Sequence, residues 1–231
     1  MTKLFTKIYS IEGNIGSGKS TLLENLKKEF SGNSNIIFMK EPVDEWEEIR
    51  DAEGNTMLQK FYANQDKYSF SFQMMAYISR LNLLKNTVEQ NPGAIIISER
   101  SLYTDKYVFA KMLYESGKIE DVNYQIYNKW FDVFVREFPI SGVIYVKTDP
   151  EICHARVAKR SRLGESNIPL DYLKSCHDYH TNMINNECEN IFNRELILDG
   201  NNDIYENDKI LIDWIENIKY FISSKDFSFS I

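Results

Sequence analysis

The 231-residue chain is poor in the residues that mark stapled, secreted or membrane-bound proteins. It has three cysteines, Cys153, Cys176 and Cys188, an odd number at spacings that fit neither a disulfide framework nor a zinc ribbon. A reducing compartment is the expectation. Cys176-His177-x-x-His180 with Cys188 falls in a helical pattern that puts the four on no common face, so no metal set is expected there. No apolar run reaches the roughly 18 residues of a membrane span. The N-terminus lacks the signature of a secretory signal, because a strand-and-loop pattern has begun by Thr6. The expected location is cytoplasmic, with a processed organellar form left open. Excess positive charge is also lacking: the net charge of −7 argues against a nucleic-acid coat or a polybasic membrane anchor. Internal repeats, low-complexity segments and linkers are absent, so one domain over 1–231 is expected, with 224–231 frayed.

The hydrophobic fraction, 43%, is that of an ordinary globular core. It is concentrated in five short apolar runs at 7–11 (KIYSI), 36–39 (IIFM), 94–98 (AIIIS), 143–147 (VIYVK) and 196–198 (LIL). Near-continuous apolar strands suit a parallel sheet covered on both faces. Helical patterns occupy 19–30, 56–90 (one helix with an irregular start near 64–67), 102–116, 120–137, 150–163, 169–193 and 207–223. Prolines 150 and 169 stand near helix starts, where they are tolerated, and Pro92-Gly93 stops the chain before the third strand. Alternation of strand and helix predicts a doubly wound α/β fold.

Gly13-Asn14-Ile15-Gly16-Ser17-Gly18-Lys19-Ser20-Thr21 matches G-x-x-x-x-G-K-[ST] between the first strand and the first helix. Glycine lets the loop aim its backbone N–H groups inward at phosphate oxygens, and the helix adds its positive end. Lys19 is expected on the β- and γ-phosphates and the Ser20 hydroxyl on Mg²⁺. This establishes an ATP or GTP site and leaves the acceptor open. No N-K-x-D guanine motif is present, which argues against a GTPase switch.

The second strand ends in Glu41-Pro42-Val43-Asp44-Glu45-Trp46 and the third in Ser98-Glu99-Arg100-Ser101. Ligands of a doubly wound sheet lie at the carboxyl ends of its strands, so both charged groups fall beside the phosphate loop. A carboxylate there can take the proton of an acceptor hydroxyl, an arginine can hold developing charge, and a second carboxylate can assist Mg²⁺. Alternatively both are solvated strand ends. Arg156 and Arg160, four apart, share a helix face suited to gripping phosphate or simply to facing water.

Five segments, GNIGSGKST, EPVDEW, LQKFYANQDKYSFSFQ, ERSLYTDKYVF and RVAKRSRLGESNIPLDYL, resemble the deoxynucleoside kinase family of deoxycytidine, deoxyguanosine and insect-type kinases. The resemblance runs from the phosphate loop to about Ile204. It implies a P-loop kinase of about five parallel strands with an arginine-rich lid over about 156–168. It implies ATP-dependent phosphorylation of a deoxyribonucleoside 5′-hydroxyl, with Glu41 as general base, Arg100 at the same end, and Glu99 assisting Mg²⁺. Tyr62 and Glu165 would bind the sugar 3′-hydroxyl and Gln73 the base edge. Phe72 and Phe109 would sandwich the base, with Trp46, Ile15, Leu58 and Phe61 closing the pocket. Arg156, Arg160 and Arg162 would form the lid, and Asp203 would lie near the ATP base. A homodimer is expected, with apolar faces on 102–113 and 124–138 as candidates.

Ala76 and Arg80, three and seven residues past Gln73, can face the same cavity, and Asp105 can pair with Arg80. That charged pair favours purine deoxynucleosides or deoxycytidine over thymidine, whose 5-methyl group would meet Arg80. Two other readings stay open. A nucleoside monophosphate kinase would need more basic residues for the acceptor phosphate. A catalytically silent nucleotide-binding subunit would be expected to have lost Lys19, Glu41 or the lid arginines.

Overall fold

Strand β1 (Lys7–Glu12) lies at the centre of a five-stranded sheet that also contains β2 (Ile36–Met39), β3 (Ile95–Glu99), β4 (Gly142–Lys147) and β5 (Glu195–Asp199), in the order β2-β3-β1-β4-β5. All four pairings are parallel, with Ile11 opposite Glu99 and Glu12 opposite Tyr145. The computed structural model describes residues 6–160, 168–185, 192, 194–205 and 207–224. Successive strand residues serve opposite faces: Ile8, Ile96, Val143 and Tyr145 enter one apolar cluster, and Tyr9, Ile97, Ile144 and Val146 enter the other. That two-sided burial is why the runs read as continuously apolar.

The helices are α1 (Lys19–Glu29), α2 (Val43–Glu48), α3 (Met57–Ala63), α4 (Gln65–Gln90), α5 (Leu102–Thr104), α6 (Lys111–Glu115), α7 (Asp121–Phe134), α8 (Pro150–Arg160), α9 (Leu170–Asn185) and α10 (Asp208–Ser223). Tyr77 of α4 and Tyr127 and Phe131 of α7 cover one face, and Leu22 of α1 with Ile218 of α10 cover the other.

Three local features depart from the sequence expectation. The stretch 56–90 is two helices: a capping box between Thr56 and Gln59 starts α3, and the Asn64 side chain accepts from the Lys67 N–H to start α4. Helix α2 is additional, buried only through Val43 and Trp46. Between α5 and α6 the chain makes a π-helical turn over Asp105–Ala110, a conformation frequent at functional sites. The ends of the helices expected at 150–163 and 169–193 lie outside the described residues, as does 225–231.

Candidate active site

Most of the expected site residues that the structure describes lie at the carboxyl end of the sheet, where two cavities meet. The larger is lined by the phosphate loop from Ile15 to Thr21, by Glu99, by Arg156 and Arg160 of α8, and by the stretch from Asn202 to Tyr205. The smaller is lined mainly by aromatic and aliphatic side chains of α2, α3 and α4 with Gln73, Arg80 and Asp105 among them. A mostly apolar lining with a few polar groups is the ordinary character of a small-molecule pocket. Ile15, Glu41 and Arg100 line both cavities and so form their common wall.

The loop is shaped by close approach. A Cβ on Gly16, whose φ is +82°, would lie 2.6 Å from the Cys153 carbonyl of α8. Gly13 and Asn14 do not line the cleft. Asn14 turns inward, donating to the Leu173 carbonyl (2.8 Å) and accepting from the Ile15 N–H (2.8 Å). Lys19 Nζ donates to the Asn14 carbonyl at 2.6 Å. Burial and the neighbouring Arg100 push its ammonium down to about 7, against the pull of Glu99 and Glu41. The Ser20 hydroxyl donates to Glu99 at 2.5 Å, so the two expected metal-assisting oxygens are adjacent.

Glu41 sits between two guanidinium groups, accepting from Arg80 Nη2 at 2.9 Å and lying 3.3 Å from Arg100 Nε. Burial pushes its carboxyl up, but Arg100, Arg80 and Lys19 outweigh it and hold the group down to about 2. Arg80 is buried and fully engaged: Nε donates to Asp105 (2.9 Å), Nη1 to the Glu99 carbonyl (2.9 Å) and Nη2 to Glu41. Its two carboxylate partners raise its pKa against the effect of burial. Asp105 and Phe109 both come from the π turn.

Arg100 is the one non-glycine residue with positive φ (63°) among the described residues. A left-handed backbone costs a side-chain-bearing residue roughly 1–2 kcal/mol. Here it is held by its N–H on the Ile11 carbonyl (3.0 Å), by Nη1 on the Gly13 carbonyl (2.9 Å), and by stacking of the guanidinium over Phe109 (4.9 Å).

Trp46, Leu58, Phe61, Tyr62, Phe72, Gln73 and Ala76 all line the smaller cavity with Phe109. Phe61 stacks on Phe72 with centroids 4.5 Å apart, and Trp46 meets Phe72 edge-on while donating to the Ser79 hydroxyl. The Gln73 side-chain oxygen is buried with no hydrogen-bond partner, although buried polar groups are rarely left so. Asp203 lines the larger cleft and accepts from the Tyr205 N–H. Arg156 ties the two sides of that cleft, donating to the Gly200 and Asn202 carbonyls. Arg162, Glu165 and most of the expected lid lie outside the described residues.

Sequence reasoning missed Val43 and Tyr172 in the smaller cavity and Lys159, Tyr205 and Trp214 in the larger. Val43, Tyr172 and Lys159 stand within the segments EPVDEW and RVAKRSRLGESNIPLDYL, which was the available signal. Of the two proposed dimer faces, the first is internal, since Leu102, Val108, Met112 and Leu113 are buried within the protomer. On α7, Val122, Ile126, Trp130 and Val133 are exposed.

Known proteins are similar to this chain in sequence. A family model described as deoxynucleoside kinase matches residues 9–223. The chain is 34% identical over 221 residues to a Fowlpox virus (strain NVSL) protein named as a probable deoxycytidine kinase, spanning 94% of this chain and 88% of that one. It is 30% identical over 241 residues to the mitochondrial deoxyguanosine kinase of Xenopus laevis, spanning 94% and 90%. It is 33% identical over 175 residues to the mitochondrial thymidine kinase 2 of Homo sapiens, spanning 75% and 62%. Sequence, sheet topology and the extent of these matches agree: the chain belongs to the deoxynucleoside kinase family.

Proposed function

We propose that the chain transfers the γ-phosphate of ATP to the 5′-hydroxyl of a deoxyribonucleoside. The observation that carries this reading is the shared wall. Glu41 and Arg100 stand where the phosphate-loop cleft opens onto the smaller aromatic cavity, so a nucleoside there presents its 5′ end to the donor phosphate.

Phosphoryl transfer asks the protein chiefly for positioning and charge stabilisation, because its transition state is loose. Lys19 and the arginines of α8 face the donor phosphates. Ser20 and Glu99 offer hard oxygen ligands of the kind Mg²⁺ takes and would hold the ion, which would offset the charge of the donor phosphates when bound. Glu41 is ionised at any working pH. It orients the hydroxyl and accepts its proton late, as the new O–P bond forms, a role commonly worth about 10²–10⁴-fold. Arg100 holds the carboxylate on one side and faces the transferring group on the other. The orphaned oxygen of Gln73 is matched by a donor on a base edge, and the Phe72 and Phe109 rings offer stacking surfaces. Tyr62, which lines the same cavity, would bind the sugar 3′-hydroxyl.

Among the described residues, the cations lining the acceptor cavity are Arg80 and Arg100, and both are paired with carboxylates. An acceptor that already carries a phosphate would find no uncommitted cation among them, which favours the uncharged nucleoside over a monophosphate. The Arg80–Asp105 pair, which lines this cavity and reaches Glu41 through Arg80, favours purine deoxynucleosides or deoxycytidine over thymidine. The exposed stripe of α7 supports a homodimer, and the net charge of −7 argues against a nucleic-acid coat. ATP-dependent conversion of deoxycytidine, deoxyadenosine or deoxyguanosine to the monophosphate, measured chromatographically, tests the reading. Turnover confined to monophosphate substrates would sink it.

A further inference from the structure

Helix α9 buries a histidine that the reaction scheme above does not use. His180 is fully buried, with Tyr145 stacked on one side and Phe109 edge-on at 6.1 Å. Its Nδ1 lies 2.6 Å from the Cys176 carbonyl, and its Nε2 lies 3.2 Å from Arg100 Nη1. A carbonyl only accepts, so Nδ1 carries the proton. In the neutral ring Nε2 is then an acceptor, the one role compatible with an arginine N–H opposite it. A ring protonated at both nitrogens would set two donors against each other.

The two N–H bonds of Nη1 are thereby divided between the Gly13 carbonyl (2.9 Å) and His180 (3.2 Å), while Nε faces Glu41. A planar guanidinium fixed at Nη1 and Nε has no rotational freedom left about its terminal bonds. We infer that His180 is a positioning residue for phosphoryl transfer: as a neutral, Nδ1-protonated acceptor it fixes the plane of the Arg100 guanidinium, and so the line along which Arg100 addresses Glu41 and the transferring phosphoryl group. The inference rests on the role given to Arg100 under the proposed function. The chemistry of the ring is consistent with it, since burial and the adjacent Arg100 drive His180 well below the usual imidazole range.

Two substitutions separate positioning from mere helix support. In His180→Asn the amide reaches as far as Nδ1, so it can donate to Cys176 but cannot reach Arg100. In His180→Gln the amide reaches as far as Nε2, so it can accept from Arg100 while losing the bond to Cys176. With the best natural deoxynucleoside, His180→Asn should lose roughly ten- to a hundredfold in kcat, the range of one hydrogen bond to a charged group. Its KM for ATP should hold steady, and His180→Gln should recover most of the loss. In an Arg100→Ala background, His180→Asn should change kcat no further, because its effect passes through Arg100.

Nitrogen-15 NMR of the wild-type ring adds a readout that needs no variant to fold, with Nδ1 protonated and Nε2 bare as the expected state. A protonated Nε2, equal kcat in the Asn and Gln variants, or additive losses in the Arg100→Ala background would overturn this inference alone. A wild-type protein that phosphorylates no deoxynucleoside would overturn the functional reading and this inference together.

Discussion

Two buried charged groups decide how the site behaves at the scale of single residues. Lys19 is pushed down to about 7 because burial and Arg100 oppose its charge. A bound triphosphate reverses that balance and restores the ammonium. ATP binding should therefore take up a proton, with uptake near zero below pH 6, rising through 7, and approaching one proton above pH 8. Calorimetry in buffers of differing ionisation enthalpy reads this directly, and pH-independent binding without proton exchange would refute it. The second group is the Arg80–Asp105 pair. Removing one partner of a buried ion pair leaves an uncompensated charge and typically costs about 3–5 kcal/mol. Asp105→Ala alone should fall in that range by denaturant unfolding. Arg80→Met combined with Asp105→Ala removes both charges of the pair and should cost less than the sum of the two single changes, with Glu41 then held by Arg100. If Arg80 meets the thymine 5-methyl group as proposed, that double variant should also raise thymidine turnover relative to deoxycytidine. The Lys19 and Arg80 effects differ in legibility. Lys19 is fixed by the spacing of its loop, and Asp105 could be paired with Arg80 from helical spacing. The third arm of Arg80, its bond to Glu41, depends on how the end of β2 meets α4, which no local pattern encodes.

At the scale of elements, the strands were legible to within a residue or so at either end because the sheet buries both of its faces. The helices α1, α4 and α10 were legible from periodicity, while the break before α4 was legible only as an irregularity near 64–67 within one helix, since it turns on one Asn64 side chain capping one amide. Helix α2 was hidden by its composition: four of its six residues are acidic and only Val43 and Trp46 are buried. The π turn over Asp105–Ala110 was equally hidden, because a helical pattern does not distinguish an i→i+5 turn from an i→i+4 one. The phosphate loop is the element whose sequence says most about its contacts. Gly16→Ala would place a methyl group 2.6 Å from the Cys153 carbonyl and 2.9 Å from Val157, on a backbone at φ +82°. The loop should lift from α8. ATP affinity should drop by tenfold or more, together with a lower thermal midpoint, as read by nucleotide titration and a melting curve. Unchanged ATP affinity would show that the close approach to α8 is dispensable.

The whole molecule is a parallel sheet whose two helix layers leave one end open, and every group assigned to catalysis is gathered at that end. The opposite property, an apolar stripe turned outward, appears on α7, where Val122, Ile126 and Trp130 recur at intervals of four residues. If two copies meet there, Trp130→Glu should convert a dimer to a folded monomer, seen by light scattering with an unchanged far-ultraviolet spectrum. A wild-type monomer would remove the homodimer from the account and leave the site intact. The central claim concerns the wall between the two cavities. Its most direct test is ATP-dependent phosphorylation of the four natural deoxynucleosides by the wild type and by Glu41→Gln. The account predicts monophosphate from deoxycytidine, deoxyadenosine or deoxyguanosine in preference to thymidine, with kcat reduced about 10²–10⁴-fold in the variant. Full activity in Glu41→Gln, or no product from any of the four with the wild type, would contradict it.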